Sequence, residues 1–388
     1  MIQRMSALAP HRPLDPGERA YVERSDEGGE RIAEWIRAGK TTVLVAGPTG
    51  IGKSTEVAHA AWRLQQDHVA CLVRIDRFEN MREADPERVV LRIAARLICV
   101  AVEDLGLDVS ASLREVLVSK SLLGAEYRKP NAACPVWSAA TVAATAVREV
   151  TRLAHPRRVA LLVDGLEKCS EPRARAIFDV LGSLPEEPAL VVVVPWHAAY
   201  GPDAQDVIRP GAQFVCLRPV TVDGAEGQLG RRFLARVLAK HLEPDSLPDP
   251  LWSLLADPSQ SQTGEARAIR ECVETAIELS GGIPRNFLQL ISDARSRALI
   301  RNHKDWPTRE DVLDAAAQQR DSFRRLLLKG DDLALLEADG TDGRGIDLEC
   351  KLRLLSHGML LERMEQGRPV MRPHPLVREL LVQSAPHA

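Results

Sequence analysis

Five short apolar runs punctuate the first 220 residues: Thr42–Ala46, Val69–Asp76, Val159–Val163, Ala189–Val194 and Phe214–Leu217. Each has strand length. The densest are unbroken rather than alternating, as in strands buried on both faces of a parallel sheet. Elsewhere the apolar period lengthens. Ile32, Trp35 and Ile36 predict a helix before the first run, and Glu56–Gln66 reads as a helix after it. Residues 86–155 lack strand signals. Val89, Val90, Ile93, Ala94, Leu97 and Ile98 recur at helical spacing, and further helices are expected over Ser110–Leu123 and Ala139–Leu153. This is a long helical insertion between the second and third strands, either a partner surface or extra layers over the sheet.

Beyond residue 220 the pattern is helical at 229–242, 265–280 and 307–328, with a short helix at Leu251–Leu255 inside a loop rich in Pro, Ser and Asp. Gly281 and Gly282 end one helix and Pro284 starts the next. Thr308, Glu310 and Asp311 form another start signal. Near the C-terminus, Leu333–Ala338 and Leu348–Leu355 read as short helices. Met359–Met364 and Pro369–Pro373 read as a hairpin around Gly367, and His374–Leu381 as a closing helix. The expected organisation is a mobile arm at 1–17, an α/β parallel-sheet core at 18–220, an all-helical lid at 221–328 and a winged-helix-like module at 329–388.

Composition narrows the class. The chain has 388 residues, 45% of them hydrophobic and 27% charged, which suits a globular protein of two or three domains. A net charge of −3 argues against a dominant nucleic-acid surface. No apolar run reaches membrane-spanning length, and the start lacks the apolar core of a signal peptide. Seven scattered cysteines without a Cys-x-x-Cys read as reduced thiols of a cytoplasmic protein, with neither a disulfide framework nor a zinc site.

The first apolar run opens directly into Gly47-Pro48-Thr49-Gly50-Ile51-Gly52-Lys53-Ser54-Thr55. Strand, G-x-x-x-x-G-K-S and helix is the context of a phosphate-binding loop. The glycines let backbone N–H groups approach phosphate oxygens, and the helix N-terminus adds partial positive charge. Lys53 is expected on the β- and γ-phosphates and the Ser54 hydroxyl on Mg²⁺. Val159–Val163 ends in Asp164-Gly165-Leu166-Glu167. Asp164 is the second candidate Mg²⁺ ligand, and Glu167 the candidate to orient or deprotonate the attacking water. Three further residues are singled out: Tyr21 or Val22 as a cover for the base, His197 as a γ-phosphate sensor, and Arg209 as an arginine finger.

Gly47–Thr55, Asp164-Gly165-Leu166-Glu167 and Gly282-Ile283-Pro284-Arg285 together resemble the AAA+/STAND group of P-loop ATPases. The order of core, helical lid and winged helix is similar to origin-recognition-like and NACHT-type members. The acid-Gly-x-acid form and the Gly-x-Pro element resemble the STAND and NACHT branch. The resemblance implies ATP and Mg²⁺ binding, slow hydrolysis, Pro284 near the base and Arg285 reaching the phosphates. It also implies a nucleotide-driven conformational switch in signalling or defence, with a protein partner or self-assembly through lid and winged helix. The alternative is an ATP-dependent DNA-binding regulator or loader that reads DNA with the winged helix. Only Lys351 and Arg353 give its candidate reading helix positive charge, so the protein role ranks first.

Overall fold

The computed structural model of the chain describes residues 13–15, 17–24, 28–129, 132, 134–200, 208–224, 227–242, 264–302 and 306–384. The helix expected at Leu251–Leu255 lies outside them. Five strands, β1 (Thr42–Ala46), β2 (His68–Arg74), β3 (Arg158–Asp164), β4 (Ala189–Val193) and β5 (Gln213–Cys216), form one all-parallel sheet in the order β2-β3-β4-β1-β5. All five apolar runs are strands, with ends shifted by one or two residues.

Alternation across the pleat divides the core. Val43, Val45, Leu162 and Val191 face the helices Gly28–Arg37 and Lys53–Leu64, where Ile32, Ile36, Val57 and Leu64 are fully buried. Leu44, Cys71, Val73, Leu161 and Val163 point the other way. There they meet Val89, Ile93 and Leu97 of the helix Pro86–Cys99 and Val142, Ala146 and Val150 of the helix Ala139–Ala154. The insertion is therefore a layer of the core. Without it the second face of β2 and β3 would lie open, at about 1.5–3 kcal/mol for each large side chain exposed. Local chemistry sets its helices: Asp85 accepts from Glu87 N before Pro86, and Ser138 accepts from Thr141 N.

Among the described residues four helices follow: Gly227–Leu242, Gly264–Leu279, Pro284–Asn302 and Arg309–Leu326. They enclose a separate core around Phe233, Leu238, Val273, Phe287, Leu290 and Val312. The start signal at Thr308 is a full capping box with Asp311. The last region has helices at Asp331–Ala338, Leu348–Ser356 and Pro375–Ser384, and an antiparallel hairpin of β6 (Leu360–Glu365) and β7 (Arg368–Pro373). Gln366 and Gly367 close the hairpin, both at positive φ. Leu354, Leu355, Met359 and Met371 of this region belong to the same continuous core as the sheet. The region is thus docked on the α/β core rather than tethered to it.

Candidate functional site

The glycine loop runs from the carboxyl end of β1 into the helix Lys53–Leu64. Gly50 and Gly52 have φ of 85° and 106°, where only glycine is unstrained. A Cβ on Gly52 would meet nothing within 4 Å, so that face of the loop is open to a ligand. Lys53 is buried and donates to the Gly47 carbonyl at 2.8 Å and the Pro48 carbonyl at 3.1 Å. Burial lowers its pKa, while the carboxylates of Glu167 and Asp164 pull it back up. The ammonium therefore folds onto its own loop, beside two acids.

Those acids stand at the end of β3. The Ser54 hydroxyl beside the Asp164 carboxylate lowers its pKa, but burial outweighs this and raises it. Burial also raises Glu167 most, with the Lys53 charge opposing it. Asp164 Oδ1 and Glu167 Oε2 are buried without a hydrogen-bond partner. Two orphaned carboxylate oxygens beside a serine hydroxyl and a lysine fit a hydrated Mg²⁺ with a triphosphate. Ser54 and Asp164 are the residues that would hold the ion.

A cavity of about 790 Å³ contains this group. The candidate residues Thr49, Gly50, Ile51, Gly52, Lys53, Ser54, Thr55, Asp164, Glu167, Pro284 and Arg285 all line it. The carbonyl of Pro48, and that of Gly47, are instead turned to the lysine. Tyr21 and Val22 line the same cavity with Phe233, Val237 and Leu288, giving it an apolar end. The Tyr21 hydroxyl donates to Glu56 at 3.1 Å, and its ring stacks on His59 at 3.9 Å. The helix Pro284–Asn302 reaches the loop directly, because Arg285 N donates to the Gly50 carbonyl at 3.2 Å. The C-terminal region does so too: the Thr49 hydroxyl donates to the Ser356 carbonyl at 3.3 Å, and Ser356 and His357 line the cavity.

Two singled-out residues stand elsewhere. Arg209 is buried inside its own chain, donating to the carbonyls of Leu184, Pro185 and Pro188. It ties the loop before β4, and this corrects the finger expectation: a side chain spent on three internal carbonyls has nothing to offer a neighbour. His197 sits on the short helix Trp196–Tyr200 and does not line the cavity. Lys351 and Arg353 also turn inward. Lys351 donates to the Asp342 carbonyl and lies 4.8 Å over the Tyr200 ring, and Arg353 pairs with Asp331.

Sequence reasoning missed several lining residues. Arg74 ends β2 beside Asp164, and its guanidinium holds Asp15 and the Leu14 carbonyl, both at 2.6 Å. Leu14 N also donates to Thr55 Oγ1 at 3.3 Å. The stretch read as the end of a mobile arm is thus seated on the site, while residues 1–12 lie outside those described. No motif marks such contacts, which join residues about 40 to 60 positions apart.

No family model and no curated protein sequence matches the chain. Solved structures do. The Walker-type ATPase of Pyrococcus abyssi overlaps 97% of this chain and 99% of its own at a TM-score of 0.54 and 13% identity. The ORC2 protein of Aeropyrum pernix, in ADPNP and ADP complexes, overlaps 98% and 99% at 0.44 and 12%. The RuvB branch-migration motor of Thermotoga maritima overlaps 91% and 96% at 0.38 and 13%. No helix among the described residues is long and apolar enough to cross a membrane. With its glycine loop after β1, its acids at the end of β3 and an end-to-end overlap with a Walker-type ATPase, the chain has the fold of a P-loop NTPase, an α/β core carrying a helical C-terminal region.

Proposed function

We propose that this protein binds ATP with Mg²⁺, hydrolyses it slowly, and uses the nucleotide to set the position of its lid and C-terminal module against the core. The observation that carries this is the wall of the cavity. The glycine loop bonds at once to the lid, through Arg285 N and the Gly50 carbonyl, and to the C-terminal module, through Thr49 and the Ser356 carbonyl. A triphosphate arriving at that loop cannot leave those contacts indifferent, and differential contact is what shifts a conformational equilibrium.

In this reading Lys53 leaves the carbonyls of Gly47 and Pro48 for the β- and γ-phosphates. Bound Mg²⁺, held by Ser54 and Asp164, supplies charge neutralisation at the phosphates. Glu167 orients the attacking water and takes its proton, a task that its burial-raised pKa suits. Tyr21, Val22, Phe233 and Leu288 enclose the base, and Pro284 and Arg285 link nucleotide to lid. A winged-helix-like role for the C-terminal module as a protein-contact piece fits the inward placement of Lys351 and Arg353, which leaves the DNA reading without its basic side chains. The assignment to signalling or defence rests on the resemblance to the STAND branch.

The test is ATP titration with Mg²⁺, paired with limited proteolysis in ATP and in ADP. The wild type should bind ATP and show different cleavage patterns in the two nucleotides. Lys53→Ala should lose at least about a hundredfold in affinity, since a charged hydrogen-bond partner is worth about 3 kcal/mol. A wild type that binds no ATP, or a Lys53→Ala variant that binds as well, would overturn the proposal.

A further inference from the structure

The nucleotide site carries a cation that the reading above does not use. Arg74 lies at the carboxyl end of β2, in register with Asp164 on β3. Parallel strands present their carboxyl ends on one edge, which is where the glycine loop also opens. Arg74 is only 6% exposed and lines the same cavity as Lys53, Ser54, Asp164 and Glu167. Its charge lowers the Asp164 pKa, so the two side chains share one electrostatic environment.

Among the described residues, its side-chain partners come from the N-terminal segment. Nη1 donates to Asp15 Oδ1 and Nη2 to the Leu14 carbonyl, both at 2.6 Å, while Nε is buried without a partner. Arg77 approaches the same Asp15 oxygen at 3.6 Å. Leu14 N donates to Thr55 Oγ1, on the residue following Ser54. Leu14 and Arg74 line the cavity that Lys53 shares, and the Asp15 carboxylate holds the guanidinium from just outside that lining.

The two ends of the pair differ. Asp15 is 51% exposed, so water screens its side of the pair. Arg74 is buried, and removing the partner of a buried charge is strongly unfavourable unless another anion replaces it. From this asymmetry we infer that Arg74 is a phosphate-binding residue of the site, and that Asp15 is its exchangeable counter-ion, displaced when a phosphate oxygen of the nucleotide takes its place. The inference rests on the ATP-binding reading and deepens it. Arg74 presents a planar fork matched to phosphate oxygens. Asp15 and Leu14 form a strap that leaves when the phosphate arrives. No bond is made or broken in the exchange; one anion replaces another.

Calorimetric titration of the full chain with ATP and with adenosine tests this. If the strap must leave, apparent affinity is reduced by the fraction of molecules in which it is closed. Asp15→Ala should then bind ATP about two- to fivefold tighter, the range a half-exposed ion pair allows. Adenosine brings no phosphate, so its affinity should not change. Arg74→Ala should bind ATP about tenfold weaker or worse. In that background the gain from Asp15→Ala should vanish. Arg74→Lys keeps the charge without the fork and should fall between wild type and Arg74→Ala. It serves as the partner variant if Arg74→Ala fails to fold by thermal melting. The inference is overturned if Asp15→Ala binds ATP no tighter than wild type, if it tightens adenosine equally, or if its gain survives the loss of Arg74. Failure of the wild type to bind ATP would instead overturn the proposed function.

Discussion

Acid should loosen the C-terminal module through one histidine. His374 follows β7 and is fully buried. Leu376 N donates to its Nδ1 at 3.3 Å, and Nε2 lies 3.2 Å from both the Ser280 carbonyl and the Asn286 side-chain amide, so that with Nδ1 accepting, a neutral ring donates from Nε2 to Ser280. The ring packs 5.0 Å from Phe323, and a Cβ on Gly281 would stand 2.7 Å from it. His374 thus pins the module to the Gly281-Gly282-Ile283-Pro284 corner, whose next residue bonds the glycine loop. Burial pushes its pKa from 6.5 down to about 3; the bond to Ser280 opposes this and the charge of Arg363 assists it. The folded ring is therefore neutral where the unfolded ring is protonated. Stability from this group is complete above pH 6.5 and is lost as pH falls toward 3. At pH 5 the unfolded state has gained about 1.5 pH units of protonation free energy, or about 2 kcal/mol. A folded pKa one unit higher would leave that figure nearly unchanged. The assay is chemical denaturation of wild type and His374→Gln at pH 8 and pH 5. Other titrating groups are common to both proteins and cancel in the difference. The wild-type advantage should shrink by about 2 kcal/mol between the two pH values. A difference independent of pH would refute a neutral buried ring.

Glu167→Gln should keep ATP binding and lose about 10²–10⁴ in turnover, measured by phosphate release under saturating ATP; unchanged release would place the base elsewhere. Arg285→Ala should weaken ATP by about tenfold and reduce the nucleotide dependence of protease protection, since its guanidinium lies near Glu167 and its backbone bonds Gly50. Arg209→Ala should cost about 2–3 kcal/mol in denaturation, because three internal carbonyls lose their donor. Its turnover per folded molecule should be unchanged at every protein concentration. A stable Arg209→Ala with concentration-dependent loss of hydrolysis would restore the finger reading.

What could be read from the sequence divides by the range of the interaction. The strands were legible because Val-rich runs buried on both faces have no other use in a chain of this length. The glycine loop was legible because its chemistry is local: glycines, lysine and serine act within nine consecutive residues. Asp164 and Glu167 are three apart on one strand end, and the structure brings both to Lys53 although 110 residues intervene. The role of the insertion was not legible, because helical periodicity says that a face is buried but not against what; the answer, β2 and β3, needed the fold.

Charged side chains were the least legible class. Arg209, Lys351 and Arg353 were read as outward cations because arginine and lysine usually are. Each is instead placed by carbonyls or carboxylates of its own chain, and a cation's partner leaves no periodic trace in the residues around it. The same blindness hid Arg74 and His374, which matter in the opposite direction. Both are buried polar groups whose partners, Asp15 and Ser280, lie 59 and 94 residues away. Both also stand where one part of the chain meets another, Arg74 between the N-terminal segment and the sheet, His374 between the C-terminal region and the helices around Ser280 and Asn286. Burying a charge or an imidazole costs free energy unless its partner is held in place. A contact of that kind between two parts of the chain is therefore sensitive to displacement of the partner. Arg74 and His374, both hidden from the sequence, are for that reason positions where loss of the partner would be felt on both sides of a contact between two parts of the chain.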